Sequence, residues 1–107
     1  MIGKIVTVIV DRPINSQHPT YPNTVYPINY GFIPNILAKD GEEQDAYIVG
    51  INIPITKFTG KIVAIIHRKN DIETKFVVAP KTLTLTEDEI FKAVHFQEQY
   101  FNIEIEM

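Results

Sequence analysis

Two short acidic stretches hold the residues best suited to chemistry in this 107-residue chain. The first is Asp40-Gly-Glu42-Glu-Gln-Asp45, and the second is Asp71-Ile-Glu73-Thr-Lys75. Hard divalent cations such as Mg²⁺ take oxygen ligands and usually keep several waters. Acids presented by a loop and by a strand could therefore hold more than one such ion, provided the fold brings them together. Paired metals are a recurrent device for displacement at phosphorus. In an extended strand, side chains two apart point the same way. That spacing predicts Asp71, Glu73 and Lys75 on one face, with Phe76 and Val78 on the other. The lysine matters because a metal-and-phosphate site needs cations toward the substrate as well as acids toward the metals. The same residues also fit a plainer description: Asp40-Gly41 is a common turn pair, and polar–apolar alternation marks any half-buried strand.

The remaining polar residues narrow the chemistry by exclusion. His18, His67 and His95 do not fall at zinc spacing and read as structural residues. Tyr26, Tyr30 and Tyr100 suit either a core or rim place with satisfied hydroxyls or a donor role toward a phosphate oxygen. There is no Gly-x-Ser-x-Gly elbow and no P-loop. The absence of cysteine excludes disulfides, thiolate metal sites and thiol nucleophiles, and fits a reducing compartment. A net charge of −3 argues against a nonspecific nucleic-acid binder. The apolar run at residues 1–10 meets Asp11-Arg12-Pro13, lacks a cleavage site and is too short to span a bilayer. The expectation is a soluble, cytoplasmic protein with no nucleic-acid or membrane partner.

The elements that must position these residues are mostly strands, in a chain whose length suits one domain over residues 1–107. Residues 4–10 are β-branched almost throughout and stop at Asp11-Arg12-Pro13, which predicts a strand. Residues 13–26 are rich in proline and asparagine and read as an ordered loop. Residues 26–34, aromatic and interrupted by prolines, suit short edge or irregular extended segments. Further strands are expected at 46–53, with Gly50 a possible bulge, at 61–67 after Gly60, and at about 72–79. Thr86-Glu-Asp-Glu89 fits a capping box opening the one helix, on which Ile90, Ala93, Val94 and Phe101 share a stripe. The alternating tail at 103–107 could add a short strand. The architecture expected is mainly β, α+β in class: a small distorted antiparallel barrel, OB-like with about five strands, and one C-terminal helix.

Taken together, Tyr26-Pro-Ile-Asn-Tyr30-Gly-Phe-Ile-Pro34, Asp40–Asp45 and Asp71-Ile-Glu73-Thr-Lys75-Phe-Val-Val-Ala-Pro80 resemble segments of the soluble family I inorganic pyrophosphatases. His95-Phe-Gln-Glu-Gln-Tyr100 is similar to that family's helix motif, and the strand ending in Asp11-x-Pro13 is similar to its first strand. All of these segments keep the family's order. The resemblance implies a distorted barrel, hydrolysis of pyrophosphate to two phosphates, more than one Mg²⁺, and a homo-oligomer. By the same resemblance, Asp40 and Asp45 ligate metal, with Asp45 bridging two ions, while Asp71, Glu73 and Asp11 complete the shell. Glu42 stands where the family has an aspartate that helps deprotonate water. Lys75, Tyr30 and Tyr100 hold the phosphates, with Arg12 an additional cation. This chain departs from the pattern in having glutamate at 42 and 73. It also lacks the family's Lys-x-Glu pair and phosphate-gripping arginine between Asp11 and Tyr26, and the lysine expected at position 101. These departures keep two rivals open: a hydrolase of another phosphoanhydride, and a noncatalytic relative that binds metal or phosphate.

Overall fold

β-branched runs form most of the strands, and prolines, glycines and three breaks in register decide how they bend. The computed structural model describes residues 1–107. In chain order it contains β1 (Ile5–Arg12), β2 (Asn29–Leu37), β3 (Glu43–Ile48), β4 (Lys57–Arg68), β5 (Thr74–Ala79), α1 (Glu87–Glu98) and β6 (Ile103–Glu106). The strands follow the order β1-β2-β3-β5-β4, and β1 also pairs with β4, so five strands close a barrel. β6 adds to β4 outside that ring. The fold is mainly β with one helix, as the sequence implies. No helix is long and apolar enough to cross a membrane.

The expected antiparallel barrel is mixed. β3 and β5 run parallel, with Ala46 opposite Phe76 and Ile48 opposite Val78, while the other pairs closing the ring are antiparallel. Parallel neighbours must be joined by a crossover, and here β4 itself serves as that connection. The consequence is functional: the N-terminal ends of β3 and β5, carrying Asp45 and Lys75, lie at the same end of the barrel.

Apolar side chains fall into two layers. Val6, Val8, Ile33, Ala46, Ile48, Ile62, Phe76 and Val78 come from all five closing strands and fill one cluster. Tyr30, Tyr47, Ala64, Ile66 and Val77 pack with Tyr26 and with Ile90 and Val94 of α1 in the other. The long strand β4 serves both layers. Ile62 belongs to the first and Ala64 to the second, although simple alternation would put them on one face. A register shift between them, with Ile62 opposite Val78 and Ala64 opposite Val77, makes the switch.

Several local expectations change. Residues 29–37 are not an irregular edge but a strand paired on both sides. Pro34 is accommodated because it lies beyond the last β1 partner, Phe32, and inside the register break between Ile33 and Leu37 on the β3 side. Gly31 permits the β1 contact, since a Cβ there would lie 1.9 Å from the Ile9 carbonyl oxygen. Gly50 is no bulge: it follows β3 at φ +99°. Gly60 lies within β4 instead of preceding it, opposite Val6. β5 starts at Thr74, which leaves Asp71, Ile72 and Glu73 ahead of it. Asp71 therefore does not share a strand face with Lys75. The helix ends at Glu98, so Tyr100 and Phe101 lie beyond it.

Candidate functional site

Lys75, the second residue of β5, is where the barrel gathers its charges. Its Nζ donates to Asp45 Oδ2 of β3 at 2.6 Å, to Glu73 Oε1 at 2.6 Å and to the Tyr30 hydroxyl of β2 at 3.0 Å. The lysine side chain is only 4% exposed, whereas Asp45 and Glu73 keep 38% and 36% of theirs. Burial alone would depress the ammonium pKa, but Tyr30, Asp45 and Glu73 outweigh it and raise the pKa instead. Burial has the opposite effect on the Tyr30 phenol, raising its pKa, so that it stays protonated and able to donate. Gln44 holds this junction together: its Nε2 donates to the Asp45 and Thr74 carbonyls at 3.0 and 2.8 Å, tying β3 to β5.

A second cation supports the first. Arg68 ends β4, where the inward alternation of Ala64 and Ile66 carries it into the interior. It forks onto Glu98 of α1, Nε to Oε1 at 2.9 Å and Nη2 to Oε2 at 2.8 Å, and its Nη1 reaches Glu73 Oε2 at 2.9 Å. Glu73 is thus held from both sides. Glu98 also accepts from Tyr47, whose phenol is raised by burial and by that carboxylate. Tyr47 accepts in turn from Gln97, and Gln97 accepts from Tyr26. No buried side-chain polar atom is left without a partner. The sequence reading did not single out Glu98. Its signal was an acid at i+4 and i+8 from Val94 and Ile90, on the apolar stripe of the helix.

A cavity of about 620 Å³ opens beside this network and is lined by Arg12, Arg68, Lys75, Tyr26, Tyr30 and Tyr100 among others. Arg12 differs from the other two cations. Its Nη1 donates to the Tyr26 hydroxyl at 3.1 Å, yet it forms no ion pair with a carboxylate. Burial works against its charge, and the Tyr26 bond more than compensates, raising its pKa. Asp11, next in chain, has its carboxyl raised chiefly by partial burial and further by the charge of Asp45, so the two acids share a local field.

The other candidate acids lie apart. Asp40 accepts from the Glu42 backbone N–H at 3.0 Å, and Asp71 from that of Glu73 at 2.6 Å, each inside an exposed turn. Glu42 is exposed in the Asp40 turn, and its carboxylate takes part in no hydrogen bond or ion pair. No three acids or histidines gather as a ready ligand group. What the structure does supply is a hard donor set, with Asp45 and Glu73 meeting around one point and Asp11 in the field of Asp45. Mg²⁺ binds through one or two carboxylates plus substrate phosphates while keeping its waters. These residues fit an ion of that kind, completed by a phosphate ligand. His67 bonds Glu106 at an exposed edge, and His95 is exposed on α1, so neither joins the site.

Comparison with known proteins agrees with the fold. A family model for inorganic pyrophosphatase matches residues 8–98. The inorganic pyrophosphatase of Saccharolobus solfataricus is 30% identical over an alignment covering 78% of this chain. That alignment spans only 58% of the relative's own length. Among solved structures, the inorganic pyrophosphatase from Ehrlichia chaffeensis superposes with a TM-score of 0.71 at 19% identity, covering 97% of this chain and 85% of that one. An inorganic pyrophosphatase from Neisseria gonorrhoeae gives 0.67 at 23% identity, covering 92% and 74%.

Proposed function

The chain belongs to the inorganic pyrophosphatase family, and on that premise we propose that it hydrolyses inorganic pyrophosphate to two phosphates with Mg²⁺ as cofactor. Family membership implies a divalent metal, and the oxygen-only donors favour Mg²⁺. The observation that carries the reading is Lys75, whose one ammonium joins the acids at the barrel mouth to the cation-lined cavity. A polyanionic substrate beside that junction meets Arg12, Lys75, and the Tyr30 and Tyr100 hydroxyls. Arg12 is the member free of a carboxylate and therefore the first to pair with a phosphate oxygen. Tyr30, held protonated by burial, donates without adding charge.

In this reading Asp45, with Asp11 and Glu73, would hold the divalent ion, while Asp40 and Asp71 stay bonded within their own turns. A bound ion of this type lowers the pKa of its water and offsets charge on the leaving phosphate. Glu42, whose carboxylate is unengaged, would be the proton acceptor once its exposed turn carries it to the site. Lys75 and Arg68 fix Glu73, and Lys75 fixes Asp45, so the acids are oriented before substrate arrives. The cysteine-free chain suits the cytoplasm, where we place it as a homo-oligomer.

A second reading is favoured by one specific feature. Asp45 and Glu73 are already compensated by internal cations, and no three acids gather. That pattern also suits a relative that binds pyrophosphate without cleaving it. Phosphate release from pyrophosphate, with and without Mg²⁺, separates the two. The proposal expects Mg²⁺-dependent release that falls roughly a hundred-fold or more in Asp45→Asn, the scale of misplaced catalytic groups. Equal rates in the two proteins would overturn it, and calorimetric binding without any release would establish the second reading.

A further inference from the structure

Pyrophosphate is a small anion with no apolar surface, yet half of the cavity wall is hydrophobic. A volume of about 620 Å³ lies in the range of pockets that enclose a drug-sized molecule, which are lined by rings with a few convergent polar groups. Here the polar end is Arg12 with Lys75, and Tyr21 and His18 also line the cavity. Tyr21 and Tyr100 are 65% and 73% exposed. Single exposed aromatics need no explanation, but several around one cavity beside an unpaired arginine do.

The ring-bearing wall is built. Residues 16–25 form a hydrogen-bonded arm: Gln17 bridges Val25, His18 N–H donates to the Thr24 carbonyl at 2.8 Å, and Thr24 N–H to the Tyr21 carbonyl at 2.8 Å. Pro22 and Asn23 occupy the centre of that last turn, where their types are favoured. His18 Nδ1 accepts from the Thr20 and Tyr21 N–H groups at 3.0 and 3.2 Å. That fixes its proton on Nε2, leaving a ring donor on the wall. The His18 ring lies parallel to Tyr26, within 6°, and 5.1 Å from Tyr21 between centroids. The arm thus presents aromatic faces and an N–H donor next to the phosphate-binding end.

We infer that the site takes a nucleoside diphosphate, with its phosphates at Arg12 and Lys75 and its base against the Tyr21 wall. A planar base has edge acceptors for the His18 N–H and, unlike pyrophosphate, a π-face to stack. The inference deepens the pyrophosphatase reading and rests on it for the phosphate end of the pocket.

Calorimetric titration of ADP and of pyrophosphate, the latter as its uncleavable imido analogue, at one fixed Mg²⁺ concentration, on wild type, Tyr21→Ala and Tyr21→Phe, provides the test. The expected result is ADP binding that weakens roughly five-fold or more in Tyr21→Ala, the scale of one base–aromatic stack. Tyr21→Phe restores it, and pyrophosphate affinity stays within about two-fold throughout, because Tyr21 serves only the base. ADP and pyrophosphate compete. Pyrophosphate binding without ADP binding, or a Tyr21→Ala effect equal on both ligands, would overturn the inference and leave the pyrophosphatase reading intact. Failure of wild type to bind either ligand would remove both.

Discussion

Glu98 shows how much one side chain can organise. It is 2% exposed and would be costly to bury alone, since an unpaired charge in the interior loses its hydration. The Arg68 fork and the Tyr47 hydroxyl satisfy it, and through Arg68 it steadies Glu73 at the barrel mouth. Replacing such a pair with apolar residues can be harmless, but removing one partner strands the other. Glu98→Ala is therefore expected to lower unfolding free energy by about 3–5 kcal/mol, read as a shift in urea midpoint at unchanged slope. A loss below about 1 kcal/mol, the level of an exposed pair, would show that Arg68 finds another partner and that Glu98 is not structural. The Lys75 contacts need a smaller expectation, because both of its acids remain more than a third exposed.

At the scale of elements, α1 is the piece whose sequence and structure agree most closely. Thr86 Oγ1 accepts from Glu89 N–H at 3.1 Å, and Glu89 Oε1 accepts from Thr86 N–H at 2.9 Å, the reciprocal pair expected from Thr86-x-x-Glu89. These backbone and side-chain bonds to Thr86 lower the Glu89 pKa below the ordinary glutamate value. A depressed carboxylate contributes stability above its unfolded pKa and loses it as pH falls through the folded one. Wild type should therefore lose melting temperature from pH 6 to pH 3 by more than Glu89→Ala does; parallel curves would mean that the cap bond carries no charge contribution. What was not legible is equally physical. Periodicity located the strands but not their partners, so the parallel β3–β5 pairing had no signal. Pro34 read as an edge residue because its place in a register break depends on β3. Asp71 seemed to share a face with Lys75 until the strand proved to start at Thr74. The Arg68–Glu98 pair had no signal, because neither residue alone reveals that the other is buried beside it.

For the whole molecule, barrel closure converts separate sequence motifs into one place. Asp45 comes from β3, Lys75 from β5, Tyr30 from β2 and Arg12 from β1, and the β3–β5 parallel pair brings the first two to the same end. The acids and cations there compensate one another, which fits a protein of modest net charge, −3. The central claim is that a divalent ion and pyrophosphate meet at this junction. Anomalous diffraction from crystals grown with Mn²⁺ and pyrophosphate tests it most directly. The account predicts a manganese peak against Asp45, with phosphate oxygens on Arg12 and Lys75. Pyrophosphate bound elsewhere, or a peak confined to the Asp40 and Asp71 turns with Asp45 still closed on Lys75, would contradict it.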